Sequence, residues 1–403
     1  MTDKPVHYIS RRFVLKGAAA TAGAVVAAGF LPTRFAIGQT APVKVGLMLP
    51  YSGTYAQLGN NITEAFKLYV DERGGKLGGR AVEYVAVDDE SDPAKAPENT
   101  NKLVQRDGVD VIVGTVHSGV QMGMVKVARD TDTMMIIPNA GVGAATGPLC
   151  APNIFRASFS NWQPAYPMGK VMADRGAKTA VTLSWKYGAG EESTGAFKEG
   201  FEQHGGQVVE EMFLPFPDVE FQSLLTKIAD LKPDGVYVFF AGGGAIKFVK
   251  DYHAAGLRQQ IPLYGVGFLT DGTLQAQGEA AEGLLTTLHW GDGLTLPRTV
   301  AFTEAFEKRT SAETDVYAVQ GYDSAQLLAA GLDAVQGDTA ARAEMVKAME
   351  DAEIDSPRGR FTMSKAHNPV QDIYLREVRD GKNMVIGVAH EALADPARGC
   401  NMV

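Results

Sequence analysis

The fold class follows from Asp107-Gly108-Val109-Asp110-Val111-Ile112-Val113-Gly114, a segment that returns in kind as Pro233-Asp234-Gly235-Val236-Tyr237-Val238-Phe239-Phe240. In each, a turn containing Asp and Gly leads into a short run of β-branched and aromatic residues, which is typical of a buried strand. A helical stretch precedes both turns. Because helix, turn and buried strand repeat in this order in doubly wound sheets, the two segments predict α/β structure in two separate parts of the chain.

The same alternation extends outward in both directions. Short apolar runs alternate with amphipathic stretches, which predicts parallel sheets with crossover helices. The predicted strands are 43–49, 82–87, 109–114, 134–138, 178–185, 208–214, 235–240 and 262–268. The predicted helices include 62–73, 221–231, 297–310 and 316–335. Asp380-Gly381 predicts a closing hairpin between strands at 374–378 and 384–386.

The N-terminal segment differs in composition from the rest of the chain. Arg11-Arg12 precedes an uncharged run of mostly Ala, Gly and Val at 17–30, and small residues follow at Ala36 and Gly38. This order predicts a twin-arginine signal peptide over residues 1–38 and hence a periplasmic protein. The apolar run is short for a membrane span; the alternative is an N-terminal membrane anchor.

Length and charge limit the class of protein. A chain of 403 residues, 45% of them apolar, can bury two hydrophobic cores, so two domains are expected. Removal of residues 1–38 takes away five basic residues and one acidic residue, which changes the formal net charge from −9 to −13. So acidic a surface repels nucleic acid, and a nucleic-acid partner is not expected.

The chain has two cysteines, Cys150 and Cys400. Because an exported protein matures where disulfides persist, the pair is predicted to form a disulfide that ties the C-terminus to the middle of the chain. Closing so long a loop contributes about 3–5 kcal/mol in the chain-entropy model. The alternative is two unlinked thiols.

Four motifs in a fixed order point to a known family. They are Pro50-Tyr51-Ser52-Gly53, Asp88-Asp89, Val113-Gly114 with His117-Ser118, and Ile137-Pro138-Asn139-Ala140. Together they resemble the leucine/isoleucine/valine-type periplasmic binding proteins. The resemblance implies a type I periplasmic binding protein fold, in which two doubly wound α/β lobes are joined by a three-strand hinge and enclose a cleft.

The resemblance also implies a domain organisation and a function. Lobe 1 would comprise 43–160 plus 288–356, lobe 2 would comprise 161–287 plus 357–391, and 392–403 would form a C-terminal tail. A monomeric solute-binding protein would capture a small organic carboxylate, without cofactor or catalysis, and deliver it to an ABC permease. The remaining alternatives are a periplasmic sensor subunit and an exported hydrolase.

The first lobe is expected to bind the carboxylate. Ligands of α/β sheets bind where loops lead into helix N-termini with unpaired N–H groups. Two such loops supply the candidates, which are His117, Ser118, Asn139, Ala140 and Gly141. In the family the position of Ser118 grips a ligand carboxylate, although a helix N-cap is the alternative role for this serine. Val142 stands near a position where family members have a threonine.

The second lobe is expected to supply apolar surface to the ligand. Tyr187 matches a ligand-facing tyrosine of the family, and Phe239, Phe240 and Phe268 add aromatic area. Gly242, in a run of three glycines, would leave room for a planar ring. The alternative for the phenylalanines is the strand core. Tyr51 and Trp162 are further candidates, with purely structural roles as the alternative.

The position at which amino-acid binders have an acidic residue bears on the chemical class of the ligand. Amino-acid binders of the family hold the ammonium group with an acidic side chain after the strand that corresponds to 262–266, where this chain has Gly267-Phe268-Leu269. Asp271 follows farther on and is itself a candidate site residue. A buried ammonium without a carboxylate partner is strongly penalised. An aromatic or aryl-alkyl carboxylate is therefore predicted, and a branched-chain or other amino acid is the alternative.

Complete signatures of catalysis or metal binding are lacking. The seven histidines are scattered without metal-ligand spacing, so no zinc site is predicted. Ser118 stands outside the G-x-S-x-G motif of hydrolases. The acidic cluster at 88–92 lacks the downstream Glu of a calcium loop and is interpreted as a solvated strand end.

Overall fold

This computed structural model describes residues 41–403, which contain fifteen strands and eleven α-helices. The strands are β1 (Val43–Leu49), β2 (Lys76–Leu77), β3 (Arg80–Asp88), β4 (Val111–Val113), β5 (Met134–Ile137), β6 (Ile154–Arg156), β7 (Thr179–Trp185), β8 (Gln207–Leu214), β9 (Gly235–Phe239), β10 (Leu263–Val266), β11 (Leu285–Leu288), β12 (Glu353–Ile354), β13 (Phe361–Met363), β14 (Pro369–Arg379) and β15 (Lys382–Leu393). The helices are α1 (Ala56–Glu72), α2 (Ala96–Asn101), α3 (Ser118–Asp130), α4 (Trp162–Asp174), α5 (Gly188–Gln203), α6 (Gln222–Leu231), α7 (Gly242–Ala254), α8 (Leu274–Gln277), α9 (Pro297–Thr310), α10 (Val316–Ala334) and α11 (Arg342–Glu350). The predicted signal peptide, 1–38, lies outside the described residues.

The first sheet has the strand order β2-β3-β1-β4-β5-β6, and its strands are parallel except for β2. Val45 and Leu47 of β1 face α1 and α10, whereas Met48 faces α2 and α3. Because helices cover both faces, the strand is a continuous apolar run. We call this sheet with α1–α3 and α9–α11 lobe 1.

The second sheet has the order β12-β13-β14-β11-β10-β9-β7-β8, with β15 paired to β14. Strands β7 to β11 are parallel, and β14 runs antiparallel to β11. Tyr237 of β9 stacks on Phe197 of α5 at 4.1 Å, and Phe240 packs on Phe248 of α7 at 5.0 Å between ring centroids. Helices therefore cover both faces of this sheet too, and with α4–α8 it forms lobe 2.

The chain passes between the lobes three times. The passages follow β6, β11 and α11, so each lobe is built from separated pieces of sequence. Helix α10 returns to pack along α1 in lobe 1. Three short crossings allow two rigid bodies to move about a common hinge. No helix within residues 41–403 is both long and apolar enough to cross a lipid bilayer.

The observed elements differ from the predicted ones mainly at their ends and in five additional strands, which are β2, β6, β11, β12 and β13. Helix α1 begins at Ala56 rather than Ile62, because Gly59 and the two asparagines after it obscure the helical periodicity. Gly59 is required there, since a Cβ would lie 1.9 Å from the Pro50 carbonyl oxygen. The short β6 and the threonine-containing β11 were not predicted, and neighbouring strands decide their pairing.

Cys150 and Cys400 form a disulfide whose Cα atoms lie 5.6 Å apart, which confirms the predicted pairing. Cys150 lies between β5 and β6 of lobe 1, and Cys400 belongs to the tail that follows β15 of lobe 2. Ala366 and Ala397 pack beside the bond. The disulfide therefore ties a segment that leaves lobe 2 to lobe 1.

Candidate ligand-binding cleft

A small cavity lies between the lobes at the carboxyl ends of parallel strands. Its walls follow β1, β4 and β5 of lobe 1 and β7, β9 and β10 of lobe 2, where open α/β sheets bind ligands. The lining residues are Tyr55, Leu58, Val116, Ser118, Asn139, Gly141, Phe159, Asn161, Tyr187, Ala189, Phe239, Ala241, Phe268 and Tyr317.

Ser118 presents a buried hydroxyl that has no hydrogen-bond partner. It is the first residue of α3, and the helix is capped instead by His117, whose Nδ1 accepts hydrogen bonds from the N–H groups of Gly119 at 3.0 Å and Val120 at 3.4 Å. The N-cap role considered for Ser118 therefore belongs to its neighbour. The serine hydroxyl is left free at the cavity wall.

Three helix N-termini meet at the cavity. Helices α3, α5 and α7 begin at Ser118, Gly188 and Gly242, and the cavity wall includes Ala189 and Ala241 beside the last two. The N-cap residues of α5 and α7 make no side-chain cap hydrogen bond. Because helix N-termini carry partial positive charge and unpaired N–H groups, the three ends together stabilise an anion.

Aromatic rings form the apolar part of the wall. The ring centroid of Phe268 lies 4.7 Å from that of Phe159, 6.3 Å from that of Phe239 and 6.0 Å from that of Tyr317. All four rings are buried. Such a wall offers a planar ring extensive contact at a small cost in side-chain entropy.

Two tyrosines meet across the cleft. The hydroxyls of Tyr55 in lobe 1 and Tyr187 in lobe 2 lie 3.0 Å apart, and the Tyr187 ring stacks on His117 at 4.8 Å between centroids. Burial raises the pKa of both tyrosines well above its usual value, and burial lowers the pKa of His117 to about 4. All three side chains are therefore neutral at pH 7.

Asn139 is oriented by a chain of buried amide and imidazole groups. Its Nδ2 donates to Oε1 of Gln320 at 2.7 Å, and Nε2 of Gln320 lies 3.2 Å from Nε2 of His289. Burial lowers the pKa of His289 well below its usual value, so this ring is neutral. The chain fixes the amide of Asn139 at the cavity wall.

Charged side chains are held away from the cavity. Within residues 41–403, the lining contains no Asp, Glu, Lys or Arg. Asp271 instead pairs with Arg376, with Oδ2 2.6 Å from Nη1, and its Oδ1 accepts a hydrogen bond from the N–H of Val316 at 3.1 Å. In the described part of the chain, no group of three or more His, Cys, Asp or Glu is placed to hold a metal ion.

Further contacts across the cleft show that the lobes are closed on one another. Glu192 of α5 accepts hydrogen bonds from the N–H of Gly143 at 2.9 Å and from Nδ2 of Asn161 at 2.7 Å. A Cβ on Gly242 would lie 2.4 Å from the carbonyl oxygen of Thr54 in lobe 1. The room that we assigned to a ligand ring at Gly242 is thus occupied by the opposite lobe.

The structure brings five of the predicted site residues into the cavity wall and places seven others outside it. The five are Ser118, Asn139, Gly141, Tyr187 and Phe268. The seven are Tyr51, His117, Ala140, Trp162, Phe240, Gly242 and Asp271.

Each displaced side chain has another partner. The hydroxyl of Tyr51 lies 2.8 Å from that of Thr63, and Nε1 of Trp162 donates to Glu199 at 3.1 Å. Phe240 faces the α7 side of the sheet, because neighbouring strand residues point to opposite faces. The backbone N–H of Ala140 donates to the Thr115 carbonyl at 2.9 Å.

Several wall residues were not predicted as site residues. Phe239 and Phe240 were both expected to offer aromatic surface, but Phe240 was chosen as the site residue; strand alternation could have distinguished the two faces once the register was known. Tyr317 lies on α10, far along the chain from the other candidates, and Phe159 precedes the first crossing. No local pattern identifies either residue, because only the packing of the two lobes brings them to the cavity.

Comparisons with known proteins agree with this geometry. The sequence model of the periplasmic binding protein family matches residues 42–383. Leu/Ile/Val-binding protein homolog 6 of Brucella melitensis is 32% identical over 345 residues, covering 83% of this chain and 87% of the relative.

Two solved structures are similar over nearly their whole length. An ABC-transporter solute-binding protein from R. palustris in complex with benzoate has 53% identity and a TM-score of 0.88, covering 90% of this chain and 100% of that one. Another, from Rhodopseudomonas palustris BisB5 in complex with 3,4-dihydroxybenzoic acid, has 30% identity and a TM-score of 0.83, covering 88% and 99%.

Proposed function

Because this chain belongs to the periplasmic binding protein family, we propose that it captures a small aromatic carboxylate and releases it to an ABC permease. The observation that carries the proposal is the composition of the cavity wall. It combines the free hydroxyl of Ser118 and the N-termini of three helices with buried aromatic rings. The first part suits a carboxylate and the second a planar ring. The benzoate and dihydroxybenzoate ligands of the similar proteins support the same class.

An α-amino acid fits the cavity less well. Its ammonium group would lie in a wall where, among the described residues, no carboxylate is present, and the adjacent Asp271 is already neutralised by Arg376. A buried cation without a partner carries a penalty of about 3–5 kcal/mol. An aromatic acid leaves no such charge unpaired.

The closed cleft supports a role in binding and delivery. Contacts such as that between Glu192 and Gly143 join the two lobes, so the closed form presents both lobes in one fixed arrangement to a membrane partner. We further propose that the protein is exported through the twin-arginine route to the periplasm and acts there as a monomer without catalysis. A sensor that docks on a signalling receptor would use the same closed form.

The test is calorimetric titration of three mature proteins, which are wild type, Ser118→Ala and the control Ser193→Ala. Each protein is titrated with benzoate and with leucine. The hydroxyl of Ser193 is buried in lobe 2, where it forms a hydrogen bond with the hydroxyl of Tyr237, and it lies outside the cavity. We expect benzoate to bind one to one, and Ser118→Ala to weaken binding by about tenfold or more, since a hydrogen bond to a charged group contributes about 1.5–3 kcal/mol. Binding of leucine without benzoate would refute the ligand class.

A further inference from the structure

The cavity wall contains a second free hydroxyl, that of Tyr317. The residue is buried, with only 1% of its surface exposed, and its Oη has no hydrogen-bond partner. A buried hydroxyl without a partner costs about 1–3 kcal/mol. The Ser118 hydroxyl is the natural partner of the ligand carboxylate, so the Tyr317 hydroxyl requires a partner of its own.

Tyr317 cannot turn elsewhere to find that partner. It lies at the start of α10, where Asp315 caps the helix by accepting a hydrogen bond from the N–H of Ala318 at 2.9 Å. Asp271 accepts another from the N–H of Val316 at 3.1 Å. On its cavity side the ring packs on Phe268. Anchored at the backbone and packed at the ring, the side chain keeps its hydroxyl at the wall.

The surroundings of this hydroxyl differ from those of Ser118. Tyr317 shares the cavity wall with Tyr55 and Tyr187. The latter two share one hydrogen bond, so one of them keeps a free hydrogen. Ser118 instead faces Gly188, where a Cβ would lie 3.6 Å from the serine Cβ. We call the wall formed by Tyr55, Tyr187 and Tyr317 the phenol-lined part of the cavity.

The phenol-lined part suits a neutral polar group. Burial raises the pKa of Tyr55, Tyr187 and Tyr317 well above the usual value, so all three hydroxyls are uncharged at pH 7. Among the described residues, the cavity wall contains no Lys or Arg that would pair with a second carboxylate of the ligand. A hydroxyl can both donate and accept a hydrogen bond there without introducing charge.

We propose that the ligand is a benzoate that carries a ring hydroxyl, and that Tyr317 is the residue that recognises this hydroxyl. This inference rests on the proposed function and narrows its substrate class. Binding unsubstituted benzoate leaves the phenol-lined part without a polar partner, whereas a hydroxybenzoate supplies one. Because the Tyr317 hydroxyl meets only the ring substituent, this hydroxyl determines specificity rather than the ability to bind a carboxylate.

The test is calorimetric titration of wild type with benzoate and with 2-, 3- and 4-hydroxybenzoate. We expect one hydroxy isomer to bind about tenfold more tightly than benzoate, a difference of about 1.4 kcal/mol. Equal or tighter binding of benzoate would overturn the inference and leave the proposed function intact. If none of the four acids bound, the proposed function itself would fail. This comparison of ligands requires no variant.

Tyr317→Phe then assigns the recognition to one residue. We expect the variant to bind benzoate at least as tightly as wild type, because benzoate then buries no unpaired hydroxyl, and to bind the preferred hydroxybenzoate within about twofold of benzoate. The matched control is Tyr252→Phe, which removes a buried hydroxyl that donates to the Ile261 carbonyl at 3.0 Å, outside the cavity. The control should retain the full preference. A preference that survived in Tyr317→Phe would exclude Tyr317 as its source.

Discussion

The hydroxyl oxygens of Tyr55 and Tyr187 lie 3.0 Å apart across the closed cleft, one contributed by each lobe. Tyr55 follows β1, and Tyr187 precedes α5, so separation of the lobes breaks this hydrogen bond. The two rings also form part of the cavity wall. Closure of the lobes and enclosure of the ligand therefore share the same pair of side chains.

Tyr187→Phe should accelerate ligand release. The variant keeps the ring that stacks on His117 and loses only the hydrogen bond between the lobes. A net loss of about 1 kcal/mol from the closed form predicts a dissociation rate about fivefold higher, with a nearly unchanged association rate, in stopped-flow measurements. Tyr166→Phe is the control, since its hydroxyl donates to Gln203 on the exterior. Equal rates in the two variants would contradict the role of the pair.

Arg376→Met should strongly destabilise the protein. Arg376 is fully buried and neutralises Asp271, so its removal leaves a buried carboxylate unpaired. We expect the free energy of unfolding in urea to fall by about 3–5 kcal/mol. Arg379→Met removes an exposed ion pair with Glu377 and should cost less than about 1 kcal/mol. Similar small losses in both variants would show that the buried pair is dispensable.

Loss of the disulfide should lower stability through the unfolded state. Cys150 and Cys400 are separated by 250 residues, so the bond restricts a large part of the unfolded chain. We expect the double variant Cys150→Ala with Cys400→Ala to lose about 3–5 kcal/mol of unfolding free energy. Wild type in reductant should match the double variant. A loss below about 1 kcal/mol in both samples would mean that the unfolded chain is already compact around the bond.

Acidification should weaken the fold through His117. Burial lowers its pKa to about 4 in the folded protein, whereas the unfolded residue titrates near 6.5. Below about pH 6.5 the unfolded state takes up a proton that the folded state does not, so the unfolding free energy decreases as the pH falls toward 4. The loss of unfolding free energy is absent well above pH 6.5 and reaches about 3 kcal/mol at most once the pH has fallen below 4.

His117→Asn isolates this effect. Asparagine retains the ability to cap α3 but does not titrate. In urea unfolding at pH 7, 6 and 5, the wild type should lose stability more steeply than the variant. Parallel pH profiles would show that the imidazole titrates alike in the folded and unfolded states.

The alternation of apolar runs and amphipathic stretches was sufficient to predict parallel sheets covered by helices, whereas the two-lobed arrangement was implied by the family resemblance. Val43–Leu49 and Gly235–Phe239 are strands within one residue of their predicted ends, and both helices of the 297–335 region are found. The predicted hairpin around Asp380-Gly381 is also present. These predictions succeed because a parallel strand that is buried on both faces has a continuous run of apolar residues, which is visible in the local sequence.

The site could be predicted only in part. The loop after β4 indicated Ser118, because strand, loop and helix start follow one another in the sequence. The one-residue choice between Phe239 and Phe240 depended on strand register, and register is set by pairing with β7 and β10. Asp271 was a candidate for the cavity, yet Arg376, 105 residues away, draws it into a buried ion pair.

The sequence by itself determined two α/β lobes, a disulfide and a loop suited to an anion, since each depends on residues that are neighbours in the chain or on the chemistry of a single pair. Only the tertiary structure decided which aromatic rings form the cavity wall, and that α10 brings Tyr317 to it. The physical reason is that the wall is assembled from distant segments whose side-chain directions are set by strand register and by closure of the lobes.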